Sequence, residues 1–151
     1  MPSKHVRRLA LDTEGASIDE VLCLCFKINT LRMSLIPEHL RRELVLNYQI
    51  TDVAPHAEVA TPDHRPEVRL FTPNANAVWL LTELNPDTNV AFGLGDLGVG
   101  SPELGYIDLD ELEAVAAIEG FEIEVDLEFD TMRRLSEWVE RARVAGRIED
   151  W

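Results

Sequence analysis

The sequence predicts an α+β domain, with a mostly antiparallel sheet of about five strands and two to four helices packed on one face. Two consecutive apolar runs joined by a turn predict a β-hairpin, and helical periodicity flanks the strand-rich part of the chain. The order of the elements is a helix, several strands, a helix, a strand and a helix, which is typical of this class. The 151 residues suffice for one domain with a sizeable core.

The first predicted helix begins at Pro37, because proline suits the first helical turn. Apolar residues that recur every four positions would form its buried stripe: Ile36, Leu40, Leu44 and Tyr48. A proline-rich loop is predicted next, at residues 51–66. His56 and His64 in this loop are predicted to be solvated.

Five segments are predicted to be strands: 68–71, 77–84, 90–94, 104–107 and 121–129. The second and third form a hairpin around a turn at residues 85–89, which has the composition of turns. In the last segment five apolar residues alternate strictly with four acidic ones, a pattern typical of a half-buried strand.

Two further helices are predicted from their terminal residues. Asp108 would cap one helix, with Glu111 as its capping-box partner and Gly120 at its end. Asp130 or Thr131 would cap the last helix, which ends at Gly146.

The net charge of −14 is distributed unevenly. Residues 51–130 contain two basic residues, Arg65 and Arg69, against eighteen Asp and Glu. Such a segment repels phosphate, so direct binding to nucleic acid is not expected. It favours metal cations or the basic surface of another protein.

Cysteine usage and hydropathy indicate the cytoplasm. Cys23 and Cys25 lie too close along the chain for an easy disulfide, so no disulfide framework is expected. No apolar run approaches the roughly 20 residues that span a bilayer, and the start does not resemble an export signal. We therefore expect no membrane association.

An acidic ladder is the most unusual predicted surface feature. It consists of Glu122, Glu124, Asp126 and Glu128, which would share one face of the last strand. A row of carboxylates with this spacing can imitate the phosphates of DNA to a DNA-binding protein. The alternative is a solvated face whose charges prevent edge-to-edge aggregation.

Three carboxylates near the hairpin form a second candidate site: Glu83, Asp96 and Glu103. If the loops bring them together, they could bind Mg²⁺ or Ca²⁺ through oxygen, or form an acid/base pair. The alternative is that they bind backbone amides or basic side chains and hold the turns in place.

Four glycines follow the hairpin: Gly93, Gly95, Gly98 and Gly100. The first three match G-x-G-x-x-G, but a dinucleotide site requires a helix to begin within the glycines. Here Ser101 and Pro102 follow instead. The glycines therefore predict a loop that requires positive φ or close backbone approach.

Three blocks, residues 70–84, 91–98 and 102–106, resemble a bacterial family, the domain of unknown function 2958. The resemblance extends over residues 34–148 and includes the closing Ala145, Gly146 and Arg147. It implies an accessory role, because family members are encoded largely on plasmids and integrative elements. It assigns no catalytic residue.

The family resembles this chain from about Met33, so residues 1–32 are interpreted as an N-terminal extension or a mis-assigned start. Residues 33–151 would then form a single α+β domain. Thermal melting of a chain that begins at Met33 would test this interpretation, which expects no loss of stability.

The resulting functional expectation is a non-enzymatic accessory protein of a mobile genetic element without a cofactor. It would bind a basic, DNA-handling or host-defence protein through its acidic surface. One alternative is a domain that binds Mg²⁺ or Ca²⁺ through its loop carboxylates, with or without hydrolytic activity. Another alternative is a structural or assembly subunit whose charge serves solubility.

Overall fold

Residues Ser34–Trp151 form one compact unit, and the computed structural model describes residues 34–149. The interpretation of residues 1–32 therefore lies outside the described residues. The helices are α1 (Glu38–Val53), α2 (Leu109–Ala116) and α3 (Leu135–Ala145), and a short 3-10 helix covers Pro55–Ala57. The strands are β1 (Val68–Phe71), β2 (Val78–Asn85), β3 (Val90–Asp96), β4 (Glu103–Asp108) and β5 (Glu124–Val125).

The five strands form one antiparallel sheet in the order β4-β3-β2-β1-β5. The predicted α+β class and the predicted hairpin are confirmed, since β2 and β3 pair from Val78 opposite Asp96 to Asn85 opposite Val90. A register shift between Leu81 and Glu83 marks an irregularity in this pairing. Within the described residues no helix is long and apolar enough to cross a membrane.

Helices cover both faces of the sheet, whereas the sequence predicted them on one face. Trp79 and Leu81 pack in a core that includes Leu44 of α1 and Leu109 of α2. Leu80 lies between them on β2 and packs in a second core with α3. Successive side chains of a strand point to opposite faces, so α1 and α2 cover one face and α3 covers the other.

The predicted last strand is much shorter than its alternating pattern. Only Glu124 and Val125 pair, opposite Phe71 and Leu70 of β1. The chain then turns, as the backbone N–H of Glu128 donates to Asp126 Oδ1 at 3.1 Å. Leu127, which should lie on the buried face, is 71% exposed. The prediction of a strand over residues 121–129 is therefore wrong outside its centre.

Local capping signals succeed for α2 and fail for α3. The Asp108 carboxylate accepts from the backbone N–H groups of Asp110 and Glu111, so Asp108 caps α2 as predicted, but the helix ends at Ala116, before the predicted Gly120. Helix α3 begins at Leu135, beyond the predicted caps Asp130 and Thr131. Its first turn is instead held by Asp63 of the proline-rich loop, which accepts from the Ser136 backbone N–H and hydroxyl, and by Glu137, which accepts from the Arg134 backbone N–H at 2.7 Å.

Candidate protein-binding surface

The acidic residues are most concentrated between α2 and the region after β5. Residues 108–130 contain ten Asp and Glu and no Lys, Arg or His. Some of these carboxylates serve the fold: Asp108 caps α2, and Glu113 Oε1 accepts from the backbone N–H of Leu35 at 3.1 Å. Asp110 Oδ1 likewise accepts from the side-chain amide of Asn89 at 3.0 Å.

The acidic ladder does not form the regular row that the sequence predicted. Asp126 is half-buried, and its Oδ2 lies 2.9 Å from Nη1 of Arg69 on β1. This ion pair neutralises one of the four ladder charges and joins the segment after β5 to the sheet. Glu122, Glu124 and Glu128 remain exposed.

Five exposed carboxylates define what we call the acidic surface: Glu119, Glu122, Glu124, Glu128 and Asp130. Their side chains make no ion pair or hydrogen bond with other residues in the described range 34–149. Five uncompensated charges within twelve residues generate a local negative potential.

Apolar side chains are exposed along the same segment. Ile118, Phe121 and Leu127 are each more than half exposed. Glu128 and Asp130 also border an open cleft of about 420 Å³, which is lined in addition by Phe129, the buried Trp138 and the Arg69–Asp126 ion pair. Carboxylates beside exposed apolar groups are suited to the long side chains of Lys and Arg, which have an apolar stem and a charged end.

Asp96, one of the three candidate metal ligands, is buried and binds backbone N–H groups of the fold. The residue is 1% exposed. Oδ1 accepts from the backbone N–H of Gly98 and Oδ2 from the backbone N–H of Ile148, both at 2.8 Å. Asp96 thus ties the glycine loop to the segment that follows α3.

The three candidate metal ligands do not come together. Glu103 lies opposite Gly95, the neighbour of Asp96 on β3, so Glu103 and Asp96 face opposite sides of the sheet. Glu83 lies opposite Phe92, four residues and about 13 Å along β3 from Asp96. Among residues 34–149 no group of three or more His, Cys, Asp or Glu is placed to hold a metal ion.

Glu83 instead belongs to a polar chain that links α1 to the proline-rich loop. Thr51 Oγ1 donates to Glu83 Oε1 at 3.0 Å and lies 3.0 Å from Nε2 of His64. Burial raises the pKa of Glu83 above its ordinary value of 4.5, although the Thr51 hydrogen bond and the nearby His64 lower it. His64, which was predicted to be solvated, is therefore part of the packing between elements.

This raised pKa predicts how stability depends on pH. The favourable contribution of protonated Glu83 is fully present below the unfolded pKa of 4.5 and is lost as the pH rises through the higher folded pKa. Gln at position 83 cannot ionise and can still accept from Thr51. We expect the melting temperature of Glu83→Gln to rise relative to that of the unsubstituted protein as the pH increases from the unfolded pKa of 4.5 through the higher folded pKa. Glu103→Gln, at an exposed position, is the control, and a pH-independent difference for Glu83→Gln would contradict the prediction.

The glycine loop has the backbone features that require glycine. Gly98 and Gly100 adopt φ values of 76° and 87°. A Cβ on Gly93 would lie 2.0 Å from the carbonyl oxygen of Leu80. No helix begins within the glycines, since β4 follows them.

Two blocks of the family resemblance, residues 70–84 and 91–98, meet the closing stretch at an open cleft of about 590 Å³. It is lined by residues of the β1–β2 turn, by Gly98 and Gly100, and by the closing Ala145–Arg147 stretch. Arg69 and Arg147 also line this cleft, but their guanidinium groups pair with Asp126 and Glu149. The positive charge of the cleft is therefore largely compensated, and the acidic surface is the better candidate for binding.

Two elements of the site were not predicted from the sequence. The Arg69–Asp126 ion pair and the contact of His64 with Thr51 both join residues that are distant along the chain. The rarity of basic residues between 51 and 130 was a usable signal for Arg69, because an isolated arginine among carboxylates is expected to pair with one.

Comparison with known proteins identifies the family. No curated protein and no solved structure matches the chain. A family model described as "Protein of unknown function (DUF2958)" matches residues 35–149, which is the described α+β unit almost in full. The chain therefore belongs to the domain of unknown function 2958 family.

Proposed function

We propose that this domain is a non-enzymatic accessory protein that binds a basic, DNA-handling protein through its acidic surface. The observation that carries the proposal is the group of five exposed carboxylates, Glu119 to Asp130, without compensating cations in the described part of the chain. Such charges accelerate and orient association with an oppositely charged partner.

The surroundings of these carboxylates support a protein partner. Charge alone would also attract small cations, but Phe121 and Leu127 are exposed beside the carboxylates. A Lys or Arg side chain of the partner would lay its apolar stem on the exposed rings and methyl groups of Phe121 and Leu127. Its charged end would meet Glu128 and Asp130.

The mobile-element setting of the proposal rests on the family resemblance, since similar proteins are encoded largely on plasmids and integrative elements. A protein that imitates nucleic acid or occupies a basic surface would serve such an element by restraining a nuclease or another DNA-binding protein of the host. The cytoplasm is the expected compartment for that encounter.

The test is affinity capture from a bacterial lysate with the full chain and two variants. The first variant neutralises the acidic surface by Glu→Gln at 119, 122, 124 and 128 and Asp→Asn at 130, and leaves Asp126 intact because it pairs with Arg69. We expect the full chain to retain a basic protein that elutes as salt rises. We expect the variant to bind that purified protein at least about tenfold more weakly.

The matched control neutralises five other exposed carboxylates: Glu43, Asp52, Glu58, Asp87 and Glu140. This control changes the net charge equally, so long-range attraction falls by the same amount in both variants. Equal binding by the two variants would refute the acidic surface as the contact. Retention of no basic protein by the full chain would refute the proposed partner class.

A further inference from the structure

Among residues 34–149, strand β4 forms one edge of the sheet, opposite the edge formed by β5. Within the described residues β4 pairs with β3 on one side only, over six positions without a register shift. Proteins usually protect such edges with Lys, Pro, a bulge or a covering segment. Residues Glu103–Asp108 contain no Lys, Arg or Pro, whereas the β5 edge is short, with only two residues.

The unpaired backbone groups of this edge belong to Leu104 and Tyr106. The backbone N–H of Leu109 donates to the carbonyl of Asn89, which fixes the phase of the β3–β4 ladder. Because hydrogen-bonded and non-hydrogen-bonded pairs alternate, Gly105 bonds to β3. Leu104 and Tyr106 then direct their N–H and C=O groups away from it.

The side chains beside this edge are apolar and accessible. Tyr106 is 81% exposed, and its ring is held in place by Phe92, with centroids 5.3 Å apart. On the other face of the sheet, Trp79 and Ile107 line a cleft of about 330 Å³, which Leu97 and Val99 border. An added strand would therefore find apolar surface for its side chains on both faces.

The charge near β4 determines what can occupy the edge. Glu103 and Asp108 stand at the two ends of the strand, and Asp110 and Glu111 follow in the first turn of α2. A second copy of this chain would bring another net charge of −14 to the interface. A segment with basic residues at its ends is instead complementary to Glu103 and Asp108.

We propose that β4 accepts, as an added antiparallel or parallel strand, an extended segment of another protein that is apolar at alternate positions and basic at its ends. Main-chain hydrogen bonds to Leu104 and Tyr106 would supply affinity, and the apolar surfaces on the two faces would supply selectivity. This surface is separate from the acidic surface, which lies toward β5, and its occupant need not be the same protein.

The experiment is a selection of random displayed peptides against the full chain, followed by affinity measurements with the purified peptides. We expect enriched sequences with apolar residues at every second position, Lys or Arg at the ends and no central Pro. Leu104→Pro removes one outward N–H without removing a bond to β3. This variant should bind the peptides at least about tenfold more weakly, and more weakly than Leu104→Ala, which keeps the N–H.

Two further variants keep the test decisive. If Leu104→Pro fails to fold, Tyr106→Lys places a positive charge at an exposed edge position and should also reduce peptide binding. The variant lacking the five carboxylates of the acidic surface should retain it. Equal affinity for all edge variants would overturn the proposal. Failure to enrich peptides, or dimerisation of the full chain that Leu104→Pro abolishes, would likewise overturn it, the latter in favour of a second copy.

Discussion

Asp96→Ala is expected to lower the free energy of unfolding by about 3 to 5 kcal/mol, because it leaves two backbone N–H groups without their acceptor. Those groups belong to Gly98 and Ile148, and each lies 2.8 Å from one carboxylate oxygen. The loss is a large fraction of the roughly 5 to 15 kcal/mol that stabilises a domain. Urea denaturation measures it directly.

Asp96→Asn and Glu103→Gln complete this test. The asparagine has one acceptor oxygen and presents an NH₂ group to the second backbone donor, so we expect a loss between that of alanine and zero. Glu103→Gln, at the exposed position opposite Gly95, should change stability by less than about 0.5 kcal/mol. A stability for Asp96→Ala close to that of the unsubstituted protein would refute the structural role of this carboxylate.

Gly93→Ala is the second substitution with a large expected effect. A Cβ at this position would lie 2.0 Å from the Leu80 carbonyl oxygen and 3.0 Å from the Leu81 Cα. Backbone atoms of the adjacent strand cannot move aside as a flexible side chain does, so β2 and β3 must separate locally. We expect a loss of about 3 kcal/mol or more in thermal or urea unfolding.

Gly105 provides an internal control for this effect. It lies directly opposite Gly93 in the β3–β4 pairing, but a Cβ there would meet no atom within 4 Å. Gly105→Ala should therefore be neutral or stabilising by a few tenths of a kcal/mol, because it restricts the unfolded chain. Equal losses for the two substitutions would show that the loss of glycine itself, and not the contact with Leu80, is responsible.

Elements defined by local signals were predictable from the sequence. The Asp108 side chain caps α2 through neighbouring backbone N–H groups. The turn between β2 and β3 was evident from residue types that favour turns, and Gly146 ends α3 with a φ of 71°. Each of these features depends on residues within a few positions of one another, so the sequence alone contains the necessary information.

Pairing partners were not predictable in the same way. The alternation over residues 121–129 has the period of a strand, but a strand also requires a neighbour of equal length. Strand β1 has four residues, and β5 pairs with two of them, Leu70 and Phe71. The alternation of apolar and acidic residues and the presence of a pairing strand are independent requirements, and the sequence revealed only the alternation.

The start of α3 shows that helix caps, like strand pairing, can depend on residues that are distant along the chain. Asp130 and Thr131 have suitable side chains, but the helix begins at Leu135. The Asp63 carboxylate acts as the cap from a loop more than seventy residues earlier in the chain. A cap that acts across the tertiary structure leaves no local signature.

The candidate site was predictable in its charge and unpredictable in its geometry. The excess of carboxylates in the centre of the chain was visible from composition. The sequence could not show that Asp126 pairs with Arg69, that Asp96 is buried, or that Glu103 faces the opposite side of the sheet. Those facts depend on the β1–β5 and β3–β4 registers, which are set by contacts between distant residues.

The position of α3 has a consequence for synthesis. Leu80 and Leu94 on the sheet are covered by α3 and Ile148. The second hydrogen-bond donor of the Asp96 carboxylate is the backbone N–H of Ile148. Because a protein emerges from the ribosome N-terminus first, strands β1 to β4 emerge before α3, and the apolar side chains that α3 covers are bare until it follows. A chaperone that shields apolar surface would have its binding window in that interval, which ends when α3 and Ile148 pack on the sheet.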